Sequence, residues 1–443
     1  MSQRVVNLKY KKASISSSSG GNSIDISNGI TFFDYYEDIL SPCVTGKIYV
    51  SFSGSVYNTI PIRGGEKVEI ELETESGSIK FTGDKALYVY KASDLLQEEG
   101  REFFTIHVCS REALTNETSR VQAKYGNSPI SEHVRKILKD VLKTSKFSSK
   151  NIERTSNSYS FIGTMKKPFY MINWLCPKGI PVSGGASGSG GSVGGGGKGS
   201  GGKGIDEKKA KGTAGYLFYE NQEGFNFRSI DSLVEKTQSQ SGSTGSESFS
   251  TYTYTQAVEA GSSASDFTII NYNFERNINL MKSLRTGMYS NETFFYDLYN
   301  DRVTNYKYTI KGQIKNKLGK KVPYPEDFAE LPSRILFRQS DRGIIGNDPK
   351  ERNGREEADM AKSFARYNLL FSQALNIVVP CNVNLQVGQI IKIEFPSNDQ
   401  SSSGYVEIDK EISGLYIIRE VCHHFETGQN HSSLKLMRDS YGI

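Results

Sequence analysis

Cys422, His423 and His424, followed by His431, are the residues of this chain that most suggest metal chemistry, because thiolate and imidazole are the usual zinc ligands. On a strand Cys422 and His424 share a face, and a hairpin would return His431 beside them. No second close-spaced ligand pair occurs elsewhere, so half-buried strand edges explain these residues as well. Glu37 with Asp38, and Glu220 with Glu223, offer carboxylates for acid and base work. Glycoside hydrolysis needs two carboxyls fixed across a cleft with separated pKa values, whereas charged strand faces and turns account for these acids equally. Gly197–Lys203 has the Gly-x-x-x-x-Gly-Lys spacing of a phosphate loop. Gly204, however, stands where Ser or Thr must hold magnesium, no hydrophobic strand precedes it, and no amphipathic helix follows. Lys198, Lys203, Lys208, Lys209 and Lys211 make a diffuse basic stretch without interleaved aromatics, which argues against base stacking. His-Glu-x-x-His is absent. The residues therefore predict no catalytic, cofactor-binding or metal site.

The elements that would position any site are mostly strands. Lys67–Glu73 alternates charge with Val68, Ile70 and Leu72, and Phe104, Ile106 and Val108 repeat the pattern with His107 on the other face. Ser128 and Pro129 read as the cap and first residue of a helix whose stripe is Ile130, Val134, Ile137, Leu138, Val141 and Leu142. Pro168–Leu175 reads as a short helix, and another begins near Ala358 with Met360, Phe364, Tyr367 and Phe371 on one side. Gly215–Phe227 is a hairpin signal, two aromatic-rich strands around a Gly-containing turn. Phe267–Tyr272 and Phe294–Tyr299 read as further strands, and Leu375–Val379 opens the C-terminal ones. Between Pro181 and Gly215 the composition collapses to Gly, Ser and Lys, which predicts a mobile loop inserted within a domain. Residues 13–23 read as a flexible lead.

Composition agrees with thin, β-rich domains. Of 443 residues only 36% are hydrophobic, yet 25 are Tyr and 23 Phe, and aromatics suit pleated, half-buried surfaces. This length predicts two to four domains. A net charge of +5 is small and interspersed, unlike the basic excess of a dedicated nucleic-acid binder. The five cysteines, Cys43, Cys109, Cys176, Cys381 and Cys422, are scattered without a Cys-x-x-Cys, as expected of reduced thiols. The segment Met1–Lys12 has no secretory hydrophobic region, and no apolar run approaches bilayer-crossing length.

Two stretches look like copies of one unit. Residues 86–110 and 414–438 superpose without a gap at a constant offset of 328 positions. Leu87–Lys91 then matches Leu415–Arg419, Glu98 and Gly100 match Glu426 and Gly428, and Ile106 and Val108 match Leu434 and Leu436. Upstream, Gly65–Leu72 matches Gly388–Phe395. Where the copies differ, as at Leu95 and Leu96 against His423 and His424, contacts peculiar to one copy's neighbours are expected.

Three passages carry a family resemblance. They are Trp174–Gly179 with Gly215–Ser229 across the Gly-rich insertion, Asn271–Asn279, and the C-terminal block from Leu375 through Gly414–Val421 to Leu434–Asp439. In these the chain resembles the baseplate central hub proteins of T-even-like contractile-tailed phages, most closely the cyanophage-type members. The resemblance covers most of the chain beyond about residue 25, with departures in the Gly-rich insertion and in 236–265. It implies a mainly β fold with some α: two similar antiparallel tube-like β-barrels and an inserted α+β middle domain. The expected division is a lead at 1–23; a first barrel from 24–110 and 266–300; a middle domain at 111–265 with the loop 183–213; and a second barrel at 301–443 with a helix at 356–372. The implied role is non-enzymatic. A homotrimer would form a pseudo-sixfold ring between a sixfold tail tube and a threefold spike, in contact with other baseplate proteins. DNA would pass through it without specific binding, and the virion would be assembled in the host cytoplasm. The rival readings are a tail-associated peptidoglycan hydrolase and a ligand- or nucleic-acid-binding β-barrel.

Overall fold

The computed structural model describes residues 8–17, 23–53, 62–98, 100–182, 213–235, 249–254, 266–275, 279–298, 300–310, 317–322, 325, 327–328, 330–343, 353, 356–397 and 407–443. The Gly/Lys tract with its phosphate-loop spacing, and most of 236–265, lie outside these residues.

The first unit is made of β1 (Lys9–Ser16), β2 (Ser23–Asp25), β3 (Ile30–Asp38), β4 (Thr45–Ser53), β5 (Lys67–Thr74), β6 (Gly77–Phe81), β7 (Leu87–Glu98) and β8 (Arg101–Ser110). Period-two alternation gives these strands one dry face, and Phe33, Ile48, Val68, Ile70, Leu72, Phe104 and Ile106 pack into a single core. The supposed lead is partly strand. β1 pairs with β5, which buries Ala13 and Ile15, because those two residues supply the alternation that the Ser-rich composition masks.

Residues 111–235 carry β9 (Lys124–Pro129), β10 (Ser158–Ile162), and the hairpin of β11 (Tyr216–Asn221) and β12 (Gly224–Ser229). Helices occupy Arg111–Thr118, Ile130–Lys136 and Pro168–Leu175, the second widening into a π turn over Ile137–Val141. The stripe Ile130, Val134, Ile137 and Leu138 is fully buried against Phe169, Ile172 and Phe225. Pro129 is the extended cap of its helix rather than the first helical residue, since Ser128 and Pro129 are drawn into pairing with β10.

The remainder holds β13 (Thr251–Thr253), β14 (Asn271–Glu275), β15 (Ser290–Asp297), β16 (Arg302–Thr309), β17 (Arg334–Gln339), the helix Glu356–Leu369, β18 (Gln373–Pro380), β19 (Ile390–Glu394), β20 (Gly414–Glu426) and β21 (His431–Arg438). Two expected boundaries need correction here. β14 pairs with β18 in the second unit, so 266–275 does not return to the first. β15, β16 and β17 form their own three-stranded sheet, so none of these strands joins the sheet of either unit. A five-residue strand such as β14 has no intrinsic choice of partner, and the site it finds is set by tertiary packing.

The fold is mainly β with some α. One fourteen-stranded sheet runs β14-β18-β21-β20-β3-β4-β8-β7-β5-β1-β2, with β19 and β13 branching from β20 and β6 from β5, and curls around two separate cores. Its two halves repeat one strand order: β4-β8-β7-β5 in the first matches β18-β21-β20-β19 in the second. The same bonds recur at the start of β5 and β19. The Gly65 N–H donates to Val89 O and the Val89 N–H to Glu66 O, as the Gly388 N–H donates to Ile418 O and the Ile418 N–H to Gln389 O. Gly65 and Gly388 have φ of 88° and 84°, a left-handed conformation natural to glycine. At Gly388 a Cβ would also come within 2.4 Å of the Tyr219 hydroxyl.

The structure moves the sequence match by one residue on the first strand. Leu87 opposite Ser110 occupies the place of Tyr416, because Tyr88↔Cys109 and Val89↔Val108 correspond to Ile417↔Met437 and Ile418↔Leu436. Both strands bulge just afterwards, but only β7 carries a second irregularity between Ser93 and Leu96, where Asp94 takes φ 58°. That extra residue restores the original offset, so Leu96 falls level with His424. Among the described residues, no helix is long and apolar enough to cross a membrane.

Candidate functional site: the seam between the two units

The two units meet along β3 and β20, which pair antiparallel over seven positions from Glu420↔Asp38 to Glu426↔Phe32. Each directly opposed side-chain pair in such a ladder contributes roughly 0.2–1 kcal/mol, so the seam is a firm joint. Its dry face opposes Phe425 to Phe33 and His423 to Tyr35, with ring centroids 5.8 Å and 6.2 Å apart. His423 is fully buried, and its pKa is pushed down to about 4 by that burial. Its Nε2 lies 3.1 Å from the Leu385 carbonyl, which can only accept, so that nitrogen carries the proton and Nδ1 accepts from the Ser432 hydroxyl at 2.9 Å.

The wet face opposes His424 to Asp34, Cys422 to Tyr36 and Glu420 to Asp38. His424 Nδ1 is 2.5 Å from Asp34, and this hydrogen bond raises the imidazole pKa despite partial burial. Glu420 pairs with Lys435 at 2.7 Å. A cleft of about 640 Å³ runs along this face, lined by Tyr36, Asp38, Asn273, Glu420, Cys422 and Lys435 among others.

The suspected metal ligands are thus placed on a joint. His424 and His431 do face one another across the β20–β21 hairpin, with ring centroids 4.8 Å apart. His424 is turned to Asp34 and Glu426, and no cluster of three His, Cys, Asp or Glu among the described residues is arranged to hold a metal. The candidate carboxylate pairs are not set across a cleft. Glu37 points into the dry side of β3 while Asp38 faces out, and Glu223 sits in the turn beyond the buried Glu220.

Sequence reasoning missed what these acids do, which is to latch the β11–β12 hairpin onto both units. Glu37 Oε1 accepts from the Tyr35 hydroxyl at 2.9 Å and the Gln222 N–H at 2.8 Å, and Oε2 accepts from the Val387 N–H at 3.0 Å. Glu220 accepts from the Val44 N–H at 3.1 Å and lies 3.6 Å from Lys146, whose ammonium is 2.7 Å from Glu112. The available signal was an acid on the dry phase of an aromatic strand, as in Phe33-Asp-Tyr-Tyr-Glu37. Burial pushes the pKa of each of Glu37 and Glu220 up to about 7, against the hydrogen bonds and the lysine that pull them down.

A raised carboxyl pKa means that the folded chain holds a proton the unfolded chain has released. This contribution is complete below the ordinary carboxyl value of 4.5 and is lost as pH rises through about 7. Each carboxyl can cost up to about 3 kcal/mol across that window, at 1.36 kcal/mol per pKa unit. His423 acts with the opposite sign, losing stability as pH falls from 6.5 towards about 4. The difference between wild type and Glu37→Gln isolates the carboxyl. Urea midpoints measured from pH 5 to 8 should fall more steeply for wild type, and parallel curves would refute the buried-acid account.

No protein-family model matches the sequence, and no curated protein matches it. Solved structures do share the fold. The tail protein from Neisseria meningitidis MC58 superposes with a TM-score of 0.51 at 10% identity, covering 97% of this chain and 96% of that one. The 43 kDa tail protein of prophage MuSo2 from Shewanella oneidensis gives 0.50 at 7% identity, covering 97% and 98%.

Proposed function

We propose that this chain is a structural baseplate hub protein of a contractile phage tail, of the T-even-like and cyanophage type that its sequence resembles. Three copies would form a pseudo-sixfold ring joining a sixfold tail tube to a threefold spike. The observation that carries this reading is the sheet that repeats one strand order twice and joins the repeats through β3 and β20. A chain holding two equivalent units lets a threefold assembly present six equivalent positions. The full-length fold shared with two tail proteins supports the same setting.

In this reading the wet face of the seam lines the channel. Asp34, Asp38, Glu420 and Glu426 stand there against Lys47 and Lys435, acids outnumbering lysines, which suits a wall that DNA must pass without being held, since phosphate affinity comes from Lys and Arg. The chain has no catalytic role; tube, spike and other baseplate proteins are its partners. Sedimentation of the full chain at high concentration should give a trimer, and electron microscopy should show a ring around a central hole. A strict monomer, even beside its spike, would overturn the hub reading.

A further inference from the structure

The seam inside the chain has a counterpart in each unit that no described strand fills, at the outer edge of β14 and along the outer half of β7. β3 meets β20 because both units place a strand at the same two positions of their order. The equivalent of β3 in the second unit is β14: Phe33↔Ile48, Asp34↔Lys47 and Tyr36↔Thr45 correspond to Tyr272↔Ile377, Asn273↔Asn376 and Glu275↔Ala374. The equivalent of β20 in the first unit is β7. Yet β14 ends the ladder, pairing among the described residues only with β18. The outer half of β7, from Lys91 to Glu98, has β8 on one side; β5 reaches β7 only at Tyr88 and Leu87.

Both edges carry apolar side chains that solvent does not favour. Leu95 and Leu96 are 45% and 57% exposed, and Tyr272 is 38% exposed on a strand whose inner counterpart, Phe33, is fully buried. An open strand edge with exposed leucines is a template for pairing with another chain.

We infer that β7 of one copy pairs antiparallel with β14 of the next, repeating between chains the β3–β20 seam found within each chain. This rests on the ring reading proposed above and specifies its contact surface. The register follows from the internal seam. Leu96 stands opposite Asn273 as His424 stands opposite Asp34; Glu98 faces Asn271 as Glu426 faces Phe32; Ser93 faces Glu275 as Cys422 faces Tyr36. Asp94 and Leu95 together take the place of His423, and bring Leu95 to the partner's aromatic face around Tyr272. The difference between the copies then has a reason: the internal seam uses histidines held by Asp34 and Ser432, whereas the seam between chains uses leucines.

The test is a disulfide across the inferred register in the full chain. Directly opposed strand residues bring their Cβ atoms within about 4.5–5.5 Å, near disulfide reach. Leu96→Cys with Asn273→Cys, oxidised at high concentration, should give dimer and trimer bands on a non-reducing gel and nothing larger. Either single variant, wild type, and Leu96→Cys with Val303→Cys should not. Trimers by sedimentation without the Leu96–Asn273 link would overturn this seam and leave the ring reading standing. A strict monomer would overturn both, and bands extending beyond trimer would replace a closed ring with an open chain of copies.

Discussion

Lys146→Ala is expected to lower the unfolding free energy of the full chain by about 3–5 kcal/mol, the range for stripping one partner from a buried ion pair. The Lys146 ammonium lies 2.7 Å from Glu112 and 3.6 Å from Glu220, with all three side chains 6% exposed or less. Glu112 belongs to the helix Arg111–Thr118 and Glu220 to β11, whose carboxylate also holds the Val44 N–H of the first unit. Removing the ammonium leaves two acids facing each other in a dry site. Glu220, already raised to about 7, would move further up. The loss should therefore be larger at pH 8 than at pH 6. The substitution spares the Lys146 carbonyl, which accepts from the Phe225 N–H at 2.7 Å, so β12 keeps that anchor. Trp174, the single tryptophan, packs against the same core, and its fluorescence during urea unfolding reports the change. Lys146→Met with Glu112→Gln and Glu220→Gln should recover most of the loss, because no charge then remains buried. A loss below about 1 kcal/mol would show that water reaches the site, and the pair would rank with exposed ones.

Much of this architecture was legible because alternation is a local signal. Val68, Ile70 and Leu72 announce their strand without help from the rest of the chain, and so do Ile106 and Val108. The repeat was legible for the same reason, down to the hairpin glycines Gly100 and Gly428, both left-handed at φ 77° and 88°. What slipped was register, by one residue between Leu87 and Ser93, since a bulge is a backbone irregularity that composition does not mark. The latches were invisible for a different reason. Glu37 is satisfied by Gln222 and Val387, which lie far along the chain, and nothing in the local sequence selects those partners. Cys422 and His424 were correctly placed on a strand with His431 opposite across the hairpin; what the sequence did not show is that β3 lies on the other side, setting Tyr35 and Asp34 against His423 and His424. Sequence patterns therefore located one strand of the seam, β20, and only the folded structure showed that β3 is its partner.

Asp439→Ala should cost a similar amount, about 3–5 kcal/mol, through a second buried ion pair. Asp439 is 1% exposed and Arg366 2% exposed. The guanidinium Nη1 donates to Asp439 Oδ2 at 2.8 Å, and Oδ1 accepts from the Leu318 N–H at 3.0 Å and the Ser440 hydroxyl at 2.8 Å. Arg366 lies on the helix Glu356–Leu369, whose Tyr367 hydroxyl donates to the Tyr216 carbonyl at the start of β11. On that helix Ala361 and Ala365 pack against Tyr308 of β16. The ion pair thus fixes a strut that touches the three-stranded sheet, the β11–β12 hairpin and the C-terminal strand at once. Alanine would strip the buried guanidinium of its 2.8 Å carboxylate partner, leaving Asp231 3.6 Å from its Nε, and would strand the Leu318 N–H. Asp439→Asn keeps an acceptor for one donor but loses the charge, so it should fall between wild type and Asp439→Ala. Arg366→Met with Asp439→Leu removes both charges in a space of similar volume, and should lose far less than either single truncation. Urea unfolding of the four proteins at one pH reads this order directly. If the double variant proves as unstable as Asp439→Ala, the loss comes from packing or from the Leu318 N–H, and the charge pair is not what holds the strut.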